Sequence, residues 1–70
     1  MEDERIKEKI NFFMEEKIEV HVKLIDKKFL NGFFEKELRK GVYWFIDKKL
    51  DGMYLFLKDI YEVEQIKHNL

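Results

Sequence analysis

The chain has 70 residues, a formal net charge of −1 and no cysteine. That bounds it to one small domain, residues 1–70, with no disulfide or thiolate metal site to staple it, so packing or self-association must supply stability. Ala, Pro, Ser and Thr are also missing, which removes the hydroxyl as well as the thiol nucleophiles and leads us to expect a non-enzymatic protein with no cofactor.

No apolar run approaches the roughly 20 residues that cross a bilayer, and the opening Met1-Glu2-Asp3-Glu4 is acidic where a signal peptide is basic. The expectation is a soluble cytoplasmic domain with no membrane partner and no evident small-molecule substrate. Its Lys/Glu-rich charge is thermophile-like. That charge is unevenly spread: residues 1–26 carry five Lys/Arg against eight Asp/Glu, residues 27–58 eight against four, and residues 59–70 one against three. A basic middle lies between acidic ends. It suits either a phosphate-facing surface or termini that fold back and neutralise it.

In chain order, Ile6, Ile10, Phe13 and Met14 fall at i, i+4, i+7 and i+8, one apolar stripe of a helix over 3–16. Asp3 is an acceptable N-cap, and Glu2 and Glu4 complement the helix dipole. Phe12 lies off the stripe: it either widens the buried face or touches a partner, and is a candidate interface residue. From Ile18 the period becomes two: Ile18, Val20, Val22 and Leu24 alternate with Glu19, His21 and Lys23, a strand buried on one face.

After a turn at Asp26-Lys27-Lys28, residues 29–38 form a second strand interrupted by Asn31-Gly32. A glycine there marks a bulge, a bend or the close approach of another backbone. Arg39-Lys40-Gly41 reads as a turn, 42–47 as a strand, 48–52 as a loop with an Asp51-Gly52 turn signal, and 53–58 as a strand. Residues 59–62 suit one helical turn and 62–66 a last short strand; the tail 67–70 is expected to fray.

The order of helix, four hairpin-linked strands, a one-turn element and a short fifth strand is the one Sm-like proteins use. Leu24, Asp26, Leu30, Gly32 and Phe34 resemble the first Sm motif, and Leu55-Phe56-Leu57-Lys58-Asp59-Ile60-Tyr61-Glu62-Val63 is similar to the end of bacterial Sm-type RNA chaperones. The resemblance spans about residues 18–66 and implies a small, strongly bent, five-stranded antiparallel barrel of the Sm-like or SH3-like kind, mainly β with an N-terminal helix. It also implies RNA or a ribonucleoprotein as partner. The family's uridine pocket is not carried over: its aspartate, asparagine and arginine-glycine positions read Glu37-Leu38-Arg39-Lys40-Gly41 and Leu57-Lys58-Asp59-Ile60 here.

Two groups of cations are candidate nucleic-acid contacts. Lys27, Lys28, Lys48 and Lys49 sit in alternate hairpin loops, which a meander brings to one end, where Phe29 or Tyr54 would stack a base; Asp26, Asp47 and Asp51 share those loops. Arg39, Lys40 and Lys58 would meet at the opposite end. Such residues also serve as solvated turn ends and edge guards.

In Val42-Tyr43-Trp44-Phe45-Ile46 and Met53-Tyr54-Leu55-Phe56-Leu57 both faces of the strand are apolar, so something must cover the second face. Either the helix does so, or Tyr43, Phe45, Tyr54 and Phe56 meet a protein partner or a second copy in a homo-oligomer. His21 reads as a surface histidine, not a metal ligand, and no carboxylate pair shows acid–base geometry.

Overall fold

The structure is a computed structural model that describes residues 2–67, with side chains from residue 4; the end of the expected fraying tail, 68–70, lies outside the described residues. Helix α1 spans Glu2–Glu16, starting one residue ahead of the Asp3 cap position. Lys17 turns out of the helix at φ 56°, and the Ile18 N–H donates to the Phe13 carbonyl at 2.9 Å, closing the last turn. As the stripe predicts, Ile10 and Phe13 are buried and Ile6 and Met14 pack against the core.

Five strands follow: β1 (Val20–Leu24), β2 (Phe29–Arg39), β3 (Val42–Asp47), β4 (Asp51–Phe56) and β5 (Ile60–Gln65), with a 3₁₀ turn η1 (Leu57–Asp59) before the last. They form one antiparallel sheet in the order β4-β3-β2-β1-β5. β4 and β5 are both edges and do not pair, so the expected barrel is not closed by hydrogen bonds. Curvature comes instead from β2, whose first half pairs with β1 and second half with β3, with register shifts between Phe34 and Lys36 and between Glu37 and Arg39.

Gly32 is the close-approach glycine its position suggests. A Cβ there would lie 1.9 Å from the Ile46 carbonyl oxygen; β3 can cross β2 at this point only because no side chain intervenes. The core on the concave face holds Ile10 and Phe13 of α1 with Val20, Val22, Leu30, Phe34, Tyr43, Phe45, Leu55, Ile60 and Val63. Phe34 packs edge-on against Tyr43 at 5.4 Å and Phe45 at 5.0 Å.

The last elements begin earlier than the sequence suggests. β4 starts at Asp51, because the β3–β4 loop is only Lys48–Leu50 and Asp51 itself turns the chain at φ 64°. The helical turn is correspondingly Leu57–Asp59 and β5 starts at Ile60.

Candidate functional site

Strand β3 decides which aromatic residues are available for function. The ladders pair Tyr43 with Leu55 and Phe45 with Phe34 and Met53 on the core side, and Trp44 with Tyr54, Val42 with Phe56 and Ile46 with Phe33 on the other. Tyr43 and Phe45 are 0% exposed. As candidate interface residues they are corrected: both belong to the core, where Phe34 of β2 packs on them and Leu55 and Met53 of β4 pair with them. Tyr54 is 62% and Phe56 38% exposed, so these two do face outward. Phe12 is exposed on α1 and packs edge-on against Phe13 at 5.8 Å.

The outer face of β3 and β4, with Phe33 of β2, is therefore an apolar strip, flanked on β2 by Lys36, the cross-strand partner of Trp44. It starts at a groove lined by Met14, Phe33, Phe34 and Ile46 with Lys17 and Glu35, and passes through Trp44 and Tyr54, whose rings meet edge-on at 5.2 Å. It ends in two adjoining grooves that share Val42 and Phe56. One also holds Leu38, Arg39 and Tyr54; the other holds Lys40, Gly41, Leu57 and Lys58. No carboxylate lines either. Helix α1 packs on β2, β5 and η1, which leaves the edge of β4 beside this strip without a neighbouring strand.

The cations are grouped differently from the expectation. Lys48 pairs with Glu19, just ahead of β1, and its N–H donates to the Asn31 carbonyl at 3.0 Å, whereas Lys27 and Lys28 follow the other end of β1. Lys48 is thereby drawn towards the start of β1. The Ile25 N–H donates to the Asp59 carbonyl at 2.9 Å and the Leu57 N–H to the Gly41 carbonyl at 2.8 Å. Those two bonds tie the β1–β2 loop, which carries Lys27 and Lys28, and the β2–β3 turn, which follows Arg39 and carries Lys40, to opposite ends of η1, which carries Lys58. The sheet's bend, invisible in the sequence, causes the regrouping.

Two aspartates shape the loops. Asp26 Oδ1 accepts the Lys28 N–H at 3.1 Å, and Lys28 Nζ lies 4.0 Å from the same carboxylate. Asp47 Oδ2 accepts the Lys49 and Leu50 N–H groups at 2.8 and 2.9 Å. Burial pushes the Asp47 carboxyl upward, but the backbone hydrogen bonds from Lys49, Leu50 and Asn31, with the Lys49 charge, outweigh it and hold the group below its ordinary value.

His21 is part of a small outer cluster on β1 and β2 that the alternation alone does not reveal. Its Nδ1–H donates to Asn31 Oδ1 at 2.7 Å and its ring stacks on exposed Phe29 at 4.9 Å. Lys23 Nζ lies 5.9 Å from the Phe29 ring centre and 5.3 Å from that of Tyr61. Among the described residues no group of three His, Asp or Glu side chains is placed to hold a metal ion, and no helix is long and apolar enough to cross a membrane.

Comparison with protein-family models, with curated proteins and with solved structures finds no match for this chain.

Proposed function

We propose that the chain is a non-enzymatic protein-interaction module that docks through the outer face of β2, β3 and β4. One observation carries the reading: Val42, Trp44, Ile46, Tyr54 and Phe56 share that face, and although the end of α1 reaches it with Met14 at the Phe33–Ile46 groove, Tyr54 and Phe56 stay open to water. A contiguous apolar strip rich in Tyr, Trp and Phe is the composition of a protein interface core, and a soluble domain rarely leaves one in water without a use for it. The Sm-like resemblance is consistent with such a role, since it concerns the order of elements rather than the RNA pocket, whose residues are replaced here.

A second reading, an accessory RNA- or ribonucleoprotein-binding module, draws on the cations around η1. Lys27, Lys28, Arg39, Lys40 and Lys58 flank one 3₁₀ turn, and their charge is offset by Asp26, Glu37 and Asp59. A net surplus of two charges is little with which to hold a phosphate backbone.

The two readings separate on salt and on an apolar dye. The docking reading expects an anilinonaphthalene dye to bind the native protein equally at about 50 and 200 mM salt, and to be lost in the folded Tyr54→Glu/Phe56→Glu variant. Single-stranded RNA bound at about 50 mM salt, weakened tenfold or more at about 200 mM and abolished by charge reversal at the five cations would replace it with the second reading.

A further inference from the structure

Resting on the docking reading, we propose that the partner is an extended acidic peptide segment, which adds as a sixth strand to the free edge of β4 and sets its carboxylates against Arg39, Lys40 and Lys58. Three independent features of that edge converge on this occupant.

The first is the backbone. β4 is an outer strand, and its ladder with β3 runs from Val42↔Phe56 to Asp47↔Asp51 without a register shift. Exposed edges are ordinarily blunted by lysine, proline or a bulge. Asp51–Phe56 reads DGMYLF and has none of these; its one charge, exposed Asp51, stands at the opposite end of the strand from Phe56. The other edge is guarded: Lys9 Nζ of α1 donates to the Val63 carbonyl of β5 at 3.4 Å, and Arg5, Ile6 and Lys9 stand beside Tyr61 and Glu62. An extended chain therefore meets a regular, unblocked row of donors and acceptors at β4, which is the requirement for recognition by strand addition.

The second is the floor beside that row. Leu38, Val42, Tyr54, Phe56 and Leu57 line the two adjoining grooves, and they would receive every second side chain of an added strand, because side chains alternate across a sheet. An aliphatic and aromatic floor next to backbone donors suits a peptide. A nucleic acid has no use for the strand edge and needs more phosphate contacts than three cations supply.

The third is the sign of the rim. Arg39, Lys40 and Lys58 line these grooves and no Asp or Glu is among the lining residues; Glu37, whose Oε2 accepts the Gly41 N–H at 3.2 Å, offsets one of the three charges, and the surplus that remains attracts an arriving carboxylate and repels a lysine. Charge complementarity decides the partner's chemistry: acidic and apolar residues in alternation.

Trp44 is the only tryptophan and touches Tyr54, so its fluorescence reports on the site. The experiment titrates the full chain with an eight-residue peptide alternating glutamate with valine or tyrosine, with its lysine-for-glutamate counterpart, and with the acidic peptide N-methylated at alternate residues. The acidic peptide is expected to bind about tenfold or more tighter than the basic one, the N-methylated peptide to lose binding, and R39E/K58E to reverse the preference.

Equal affinity for acidic and basic peptides overturns the proposal, as does full binding of the N-methylated peptide. If neither peptide binds yet the dye still reports the apolar strip, the acidic-strand proposal fails and the docking reading stands; loss of both signals overturns both. A mass by light scattering that grows with protein concentration and is not reversed by the acidic peptide assigns the edge to a second copy instead, and that too overturns the proposal.

Discussion

The indole of Trp44 occupies the space where Gly52 would carry a side chain: a Cβ at Gly52 would lie 2.2 Å from Trp44 Cζ2 and 2.7 Å from Cε2. The ring therefore rests on the β4 backbone, and the apolar strip continues unbroken from β3 to the edge. Gly32 meets a different obstacle, the Ile46 carbonyl at 1.9 Å. A side chain on the outer face can swing aside, whereas a backbone carbonyl in the middle of a ladder cannot.

Gly52→Ala is accordingly expected to cost about 1–2 kcal/mol and to shift Trp44 emission to the red, while Gly32→Ala costs about 3 kcal/mol or more and prevents folding. Chemical denaturation with Trp44 fluorescence checks the ranking. Equal costs for the two variants would contradict this account of why each glycine is present.

Asp47 holds the β3–β4 loop through the Lys49 and Leu50 N–H groups. Asp47→Ala is expected to cost about 1–2 kcal/mol at neutral pH, by leaving those donors without their acceptor. Because the folded state holds this carboxyl below its ordinary value, its stabilisation is complete above the unfolded pKa of about 4 and is lost as the pH falls through the lower folded value. Thermal unfolding between about pH 5 and 2 should show a steeper acid limb for the wild type than for Asp47→Asn.

Tyr43 is fully buried and its hydroxyl has no hydrogen-bond partner. Burial, and after it the Glu37 charge, push its pKa up to about 12. The folded value is raised above the unfolded one of about 10, so stability is intact below pH 10 and falls as the pH climbs towards 12. Tyr43→Phe should be neutral or stabilising by up to about 1 kcal/mol at pH 7 and should remove that alkaline loss. A destabilisation above about 1 kcal/mol would mean that the hydroxyl holds a buried water.

Charging the two faces of the aromatic strands should give opposite results. Phe45→Glu places a carboxylate in the core and is expected to unfold the chain. Tyr54→Glu and Phe56→Glu leave melting within a few degrees of wild type, because both side chains already reach water. Circular dichroism on the three variants distinguishes the core from the docking face without reference to any ligand.

Much of this architecture is written locally. The 3.6-residue stripe of Ile6, Ile10, Phe13 and Met14 specifies α1 and its buried side; the alternation from Ile18 to Leu24 specifies β1, which starts two residues later at Val20; and Asp26 announces its own turn. The 42–47 strand is legible to the residue, and Gly32 signals a close approach. Each depends on groups a few residues apart, whose hydrogen bonds and burial the sequence order already dictates.

Only the tertiary structure decides the rest. In a run of five apolar residues such as Val42 to Ile46, periodicity cannot tell inside from outside; the cross-strand register does, turning Tyr43 and Phe45 inward and leaving Trp44 out. The bend of β2 determines which loops meet, and so ties the loops that carry Lys27, Lys28 and Lys40 to the two ends of η1 while Lys48 turns to Glu19. The open edge of β4 likewise depends on how far the sheet curls. These are properties of pairings between residues distant in the chain, and no local pattern encodes them.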